Sequence, residues 1–116
     1  MEALLAAEAK DVRAAEAIAL FCYQVKKCIG ACAAALGGLD QLVFAGGIGE
    51  HAPIVRARIC EGLAFLGIEI DEQRNAANAA VISAASARAK VRVIATNEEI
   101  VIARAVARIL FPDAAT

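Results

Sequence analysis

The sequence predicts an α/β layered domain with mostly parallel strands. Three observations carry that prediction. Long stretches place apolar residues at three- and four-residue steps, two short apolar or β-branched runs lie between them, and glycines stand at the junctions. In order these read helix, strand, helix, helix, strand, helix. The 116 residues amount to one domain or part of one, without internal repeat or linker, so 1–116 is taken as a single unit.

Residues 1–10 are rich in Ala and Leu and predict a helix without a clean start signal. From Arg13 to Leu36 the pattern is stronger. Ile18, Phe21, Cys22, Val25, Ile29, Cys32 and Leu36 form one expected buried stripe, and Gly37-Gly38 ends it. Asp11-Val12-Arg13 has the look of a catalytic tripeptide but falls in the first turn of this helix. Asp40 to Ala45 is short and apolar, as in a strand covered on both faces. Pro53 suits a helix first turn, with Val55, Ile59, Leu63 and Leu66 as its stripe and Gly67 as its end. Asp71 can cap a further helix to about Ala80. Val81 to Ser83 reads as a short strand and Lys90 to Ala95 as a better one, being β-branched. The last helix follows Thr96-Asn97-Glu98-Glu99, with Ile102, Val106, Ile109 and Leu110 expected inward.

Composition narrows the function classes. Net charge is −1 with the signs interspersed, which gives no support for nucleic acid or an anionic membrane surface as partner. No apolar run is expected to span a bilayer, and no secretory signal precedes the cysteines. Cys22, Cys28, Cys32 and Cys60 contain no CxxC pair, and the single histidine, His51, is distant in sequence. Small buried thiols in a reducing cytoplasm are therefore expected rather than a metal site.

Two segments can carry chemistry. Leu42-Val-Phe-Ala-Gly-Gly-Ile-Gly-Glu-His51 runs from a strand through glycines into a helix, which exposes backbone N–H groups and lets a ligand approach without Cβ clashes. The spacing matches neither the Walker nor the Rossmann fingerprint. A tight turn that simply needs glycine is the structural alternative. In the second segment Thr96 and Glu99 fit a capping box, which gives Glu99 a structural role. Glu98 is left at a strand's C-terminal end, where a carboxylate can hold Mg²⁺ beside phosphates or merely favour the helix dipole. Arg56 and Arg58 are expected on a solvated helix face.

These motifs resemble the C-terminal part of the acetate kinase family, within the sugar kinase–Hsp70–actin (ribonuclease H-like) superfamily. The matching stretches are Phe21 to Gly30, Leu39 to Glu50, Val55-Arg56, Leu66-Gly67 with Asp71 and Asn75, and Thr96 to Glu99 with Ile102-Ala103. The resemblance implies the C-terminal lobe of that fold, with helices on a small, mostly parallel sheet. It implies ATP-dependent phosphorylation of a short-chain carboxylate, usually acetate, with Mg²⁺. It places Gly47, Ile48, Gly49, Glu50 and His51 at the nucleotide (ATP or ADP) and Glu98 at the metal. Where the family often has Thr, Asn and Pro, this chain has Ala45, His51 and Ala95. The resemblance covers only the last third or so of family members, and the catalytic arginines, aspartate, histidines and N-terminal phosphate loop belong to the part not matched. The family's Asp-x-Arg motif would fall at or just before Met1, with Glu2 in the arginine's place. The implied reading is a cytoplasmic nucleotide-side lobe, truncated or split, inactive alone and completed by an N-terminal lobe. A non-catalytic dimerisation module, expected as a homodimer, is the alternative.

Overall fold

The computed structural model describes residues 1–112. Its elements are α1 (Glu2–Ala7), α2 (Val12–Leu36), β1 (Gln41–Phe44), α3 (Gly46–His51), α4 (Pro53–Cys60), α5 (Glu72–Ala76), β2 (Lys90–Val93) and α6 (Glu98–Leu110). A 3₁₀ turn at Ala64–Leu66 links α4 towards α5.

Helix α2 ends at the glycines as its sequence promised and starts one residue earlier than expected, at Val12. The Asp11 side chain accepts the Arg13 N–H at 2.9 Å, so Asp11-Val12-Arg13 is a helix cap and not a catalytic group. Gly37 closes the helix in the left-handed region at φ 77°, its N–H donating to Ala33 and Ala34. Ala14, Ile18, Cys22, Ile29 and Ala33 are buried, with Phe21 and Val25 packed at the margin. Cys32 and Leu36 are exposed, contrary to the expected stripe. A 25-residue helix is about 37 Å long, and its last buried residue is Ala33. Cys28 is exposed as well, so only Cys22 and Cys60 are the buried thiols expected. An 18-residue window of α2 reaches a mean hydropathy of 1.3, so the helix is long and apolar enough by length and composition alone to cross a membrane, a property that core helices share. Its buried stripe here serves the core and packs on α4.

β1 and β2 pair in parallel, from Gln41 opposite Lys90 to Phe44 opposite Val93. The expected strand at Val81–Ser83 is reduced to bridges, Val81 to Arg92 and Ser83 to Ile70, both antiparallel. The Ile82 N–H donates to Val91 O at 2.9 Å, which ties this segment to the far edge of β2. The core gathers Ile18, Val55, Ile59, Leu63, Ile82 and Val91. Each such side chain contributes about 1.5–3 kcal/mol by leaving water. β1 is not covered on both faces: Phe44 is buried, but Val43 is 47% exposed because alternate residues of a strand face opposite ways.

Two further expectations shorten or fail. α5 ends at Ala76 rather than near Ala80, since the chain turns through Asn78 at φ 51°. No residue of α6 is buried, and its stripe lies open, with Ile109 79% exposed. The radius of gyration is 17.5 Å, against about 13 Å for a closed domain of this length.

Candidate nucleotide site at the strand ends

Parallel pairing brings both sequence motifs to one edge. β1 runs into Gly46 and β2 into Thr96-Asn97-Glu98, so the two segments leave the sheet side by side at its carboxyl end. Ligands of open α/β sheets bind at that end. The Ile94 N–H donates to Phe44 O at 2.9 Å, extending the pairing beyond the strands. The Thr96 hydroxyl then donates to Glu50 Oε2 at 3.2 Å, which joins the motifs through their side chains.

The glycine segment is itself a short helix, α3, and its three glycines answer to different constraints. Gly46 has φ 74°, a conformation that disfavours any side chain. At Gly49 a Cβ would stand 3.2 Å from the Phe44 carbonyl carbon, a tight contact, so close packing on β1 favours glycine. Gly47 has neither constraint: its φ is not positive, and a Cβ would meet nothing within 4 Å. The turn alternative therefore accounts for Gly46 and Gly49 but not Gly47. Gly47, Ile48 and His51 face Met1 and Leu5 of the N-terminal segment across a cleft of about 480 Å³. That volume lies in the range of small-ligand sites. Another cavity, of about 420 Å³, sits between α4 and α5 and contains none of these residues.

The capping box expected of Thr96 and Glu99 is not formed. Asn97 is the N-cap of α6, its side chain accepting the Ile100 N–H at 3.0 Å, and Thr96 is engaged with Glu50. The cap lies one residue later because an Asn side chain reaches its N3 amide as well as Thr does. Glu98 and Glu99 are consecutive exposed carboxylates in the first turn, so the cap no longer separates their roles. Among the described residues no group of three or more His, Cys, Asp or Glu side chains could hold a metal. Mg²⁺ held through one carboxylate, water and phosphate needs no such group, and Glu98 and Glu99 both carry the hard oxygens which that mode uses.

Sequence reasoning missed the polar centre beneath the site. Arg56 was expected on a solvated face and is instead fully buried. Its Nε donates to Asn75 Oδ1 at 2.8 Å, Nη1 to Gly49 O at 2.9 Å, and Nη2 to Asn75 O at 2.8 Å and to Asn78 Oδ1. Asn75 Nδ2 in turn donates to Pro53 O at 2.8 Å. The guanidinium thus fastens α3 and α4 to the turn after α5. One signal was available: Cys60 is buried, and Arg56 lies four residues before it on the same helical face. Arg58 is half-exposed and pairs with Glu8 through two bonds, 2.6 and 3.1 Å, which clasp α1 to α4. That bond holds the Glu8 carboxyl below its ordinary pKa. Burial pushes the Cys60 thiol up to about 12, which removes it as a nucleophile.

Known proteins match this arrangement. The Acetokinase family model covers residues 2–104. The acetate kinase of Coprothermobacter proteolyticus is 50% identical over 97 residues, which is 83% of this chain and 24% of that protein. The propionate kinase of Citrobacter rodentium is 51% identical over 108 residues, 93% of this chain and 27% of that one. The crystal structure of Porphyromonas gingivalis acetate kinase superposes with a TM-score of 0.79 at 37% identity, covering 92% of this chain and 28% of its own. The fold is thus the α/β arrangement of those kinases, as expected, and the chain spans about a quarter of the length of the relatives it matches. With the family model matched over most of its length and both strand-end motifs in one place, the chain belongs to the acetokinase family.

Proposed function

We propose that this chain is the nucleotide-side lobe of a short-chain acyl kinase, a protein that phosphorylates acetate or a close homologue with ATP and Mg²⁺. Gly47, Ile48, Gly49, Glu50 and His51 contact the nucleotide, and Glu98 serves the metal. The observation that carries this reading is Gly47, a glycine where the fold leaves room for a Cβ and that opens on a cleft of ligand size. Phosphoryl transfer needs several charges placed around the transferred group. This lobe offers one candidate metal carboxylate and one glycine segment, so it is inactive alone and works with a complementary N-terminal lobe.

Gly47→Val tests the assignment. A Cβ there is sterically free and valine is a better helix former than glycine, so the variant is expected to fold with a melting midpoint no lower than the parent's. Saturable Mg-ATP or Mg-ADP binding to the parent, measured by calorimetry, is expected to fall at least about tenfold in the variant, since the added methyls occupy the approach to the segment. Equal binding by both would remove the segment from the site.

A second reading is favoured by one observation, the open apolar face of α6 with Val43 and Ile94 exposed at the sheet. Such a surface suits association of two copies without catalysis. Light scattering decides it: a dimer that forms equally with and without nucleotide, in a chain that binds none, supports this reading over the first.

A further inference from the structure

Arg56 is an unusual buried cation, because every acceptor it meets is neutral. Its partners are the side-chain and main-chain oxygens of Asn75, the carbonyl of Gly49 and the side-chain oxygen of Asn78. The ion pairs among the described residues are Arg13–Asp11 and Arg58–Glu8, and neither involves it. The charged groups of the surrounding elements are engaged elsewhere or face solvent. Glu50 of α3 takes the Thr96 hydroxyl, Arg58 of α4 takes Glu8, and Asp71 caps α5 at the Arg74 N–H. Glu61 after α4 and Glu72 of α5 are exposed. Buried charges are ordinarily paired, because desolvation is costly and an opposite charge offsets it. An Asp at position 78 would offer the same oxygen and a countercharge, yet the chain has an amide there.

We infer that Arg56 is held without a countercharge so that its positive potential acts on the phosphates of a nucleoside di- or triphosphate at Gly47–Gly49. The inference rests on the nucleotide reading above and deepens it: the preferred ligands are those with most phosphate charge. The guanidinium donates directly to Gly49, within the candidate segment, and low-dielectric surroundings weaken its field less than water would. Burial lowers its pKa, but a guanidinium stays protonated across the working range. Arg56 is thus a positioning residue, holding the segment through Gly49 while setting the charge beneath it.

Asn78→Asp is the decisive variant. It keeps the oxygen that Arg56 meets, tolerates φ 51°, and adds a countercharge. By calorimetry, affinity for Mg-ADP and for magnesium pyrophosphate is expected to fall about tenfold, while affinity for adenosine changes less than about twofold. Asn78→Gly, which tolerates φ 51°, loses the hydrogen bond and keeps the free charge, is expected to hold its ADP affinity within about twofold. A uniform loss for adenosine and ADP, or no loss for either, overturns the inference.

A second measurement needs no nucleotide. Ile48→Cys, made in a chain with the exposed cysteines removed (Cys28→Ala, Cys32→Ala), reports potential at the segment through its rates with anionic and cationic methanethiosulfonates. Adding Asn78→Asp is expected to lower the anionic-to-cationic rate ratio at least about threefold. If that ratio falls in a chain that binds no nucleotide, the field stands and the nucleotide reading fails. If the ratio does not move, the inference fails whatever nucleotide does.

Discussion

Between Gly46 and Val93 a guanidinium is wholly buried, while between Glu98 and Leu110 a row of aliphatic side chains lies in water. The two regions invert what hydropathy alone prescribes, and partners explain both. Arg56 meets four oxygen acceptors within its own chain, so its desolvation is offset. Ile102, Val106 and Ile109 meet no covering surface among the described residues, so their amphipathic spacing has nothing to act on. Periodicity therefore reports that a face is fit to be buried, and only a partner buries it.

The contrast can be broken most severely at Arg56. Arg56→Met would leave the oxygens of Gly49, Asn75 and Asn78 without their donor, and stability should fall by about 1–3 kcal/mol in urea denaturation. A loss under about 1 kcal/mol would show that the network is ornamental and that apolar contacts alone hold α4 to α5.

Acid probes a weaker tie within the same body. Arg58 holds the Glu8 carboxyl below its ordinary value of 4.5. A depressed folded-state pKa means that the unfolded chain takes up the proton first. The clasp is therefore fully present above pH 4.5 and is lost as pH falls through the lower folded value. Thermal midpoints of the parent should decline over that window, and Glu8→Gln should flatten part of the decline. An identical acid profile in Glu8→Gln would remove the clasp from the pH response.

The smallest effect is expected in α6. Ile102→Ser and Ile109→Ser should each change stability by no more than about 0.5 kcal/mol at low protein concentration, since both side chains are already in water. Losses above about 1 kcal/mol that grow with concentration would instead reveal a second copy on this face.

Much of this was legible in the chain. α2 announces itself by its stripe and Gly37, and β2 by its valines, because these signals are local. The convergence of the glycine segment with Thr96-Asn97-Glu98 followed from parallel pairing, which the helix–strand order implied. The cap of α6 was misplaced by one residue because Thr96 and Asn97 are both good caps, and only the contact with Glu50 chooses between them. Arg56 was misread because its acceptors lie as far as 22 residues downstream, beyond the reach of any helical pattern. The open faces of β1 and α6 were misread for the converse reason: composition promised burial, and no other part of the described chain reaches them.

Gly47 has a genealogical consequence. Gly46 and Gly49 are favoured by backbone angle and by close packing on Phe44, so selection for folding alone would tend to retain them. At Gly47 the same selection would favour alanine, which is worth up to about 1 kcal/mol more than glycine within a helix. In lineages that kept this lobe but lost its ligand, position 47 should drift towards alanine while its two neighbours stay fixed. A tally of that one column across descendants would then date the loss of binding without a protein being purified.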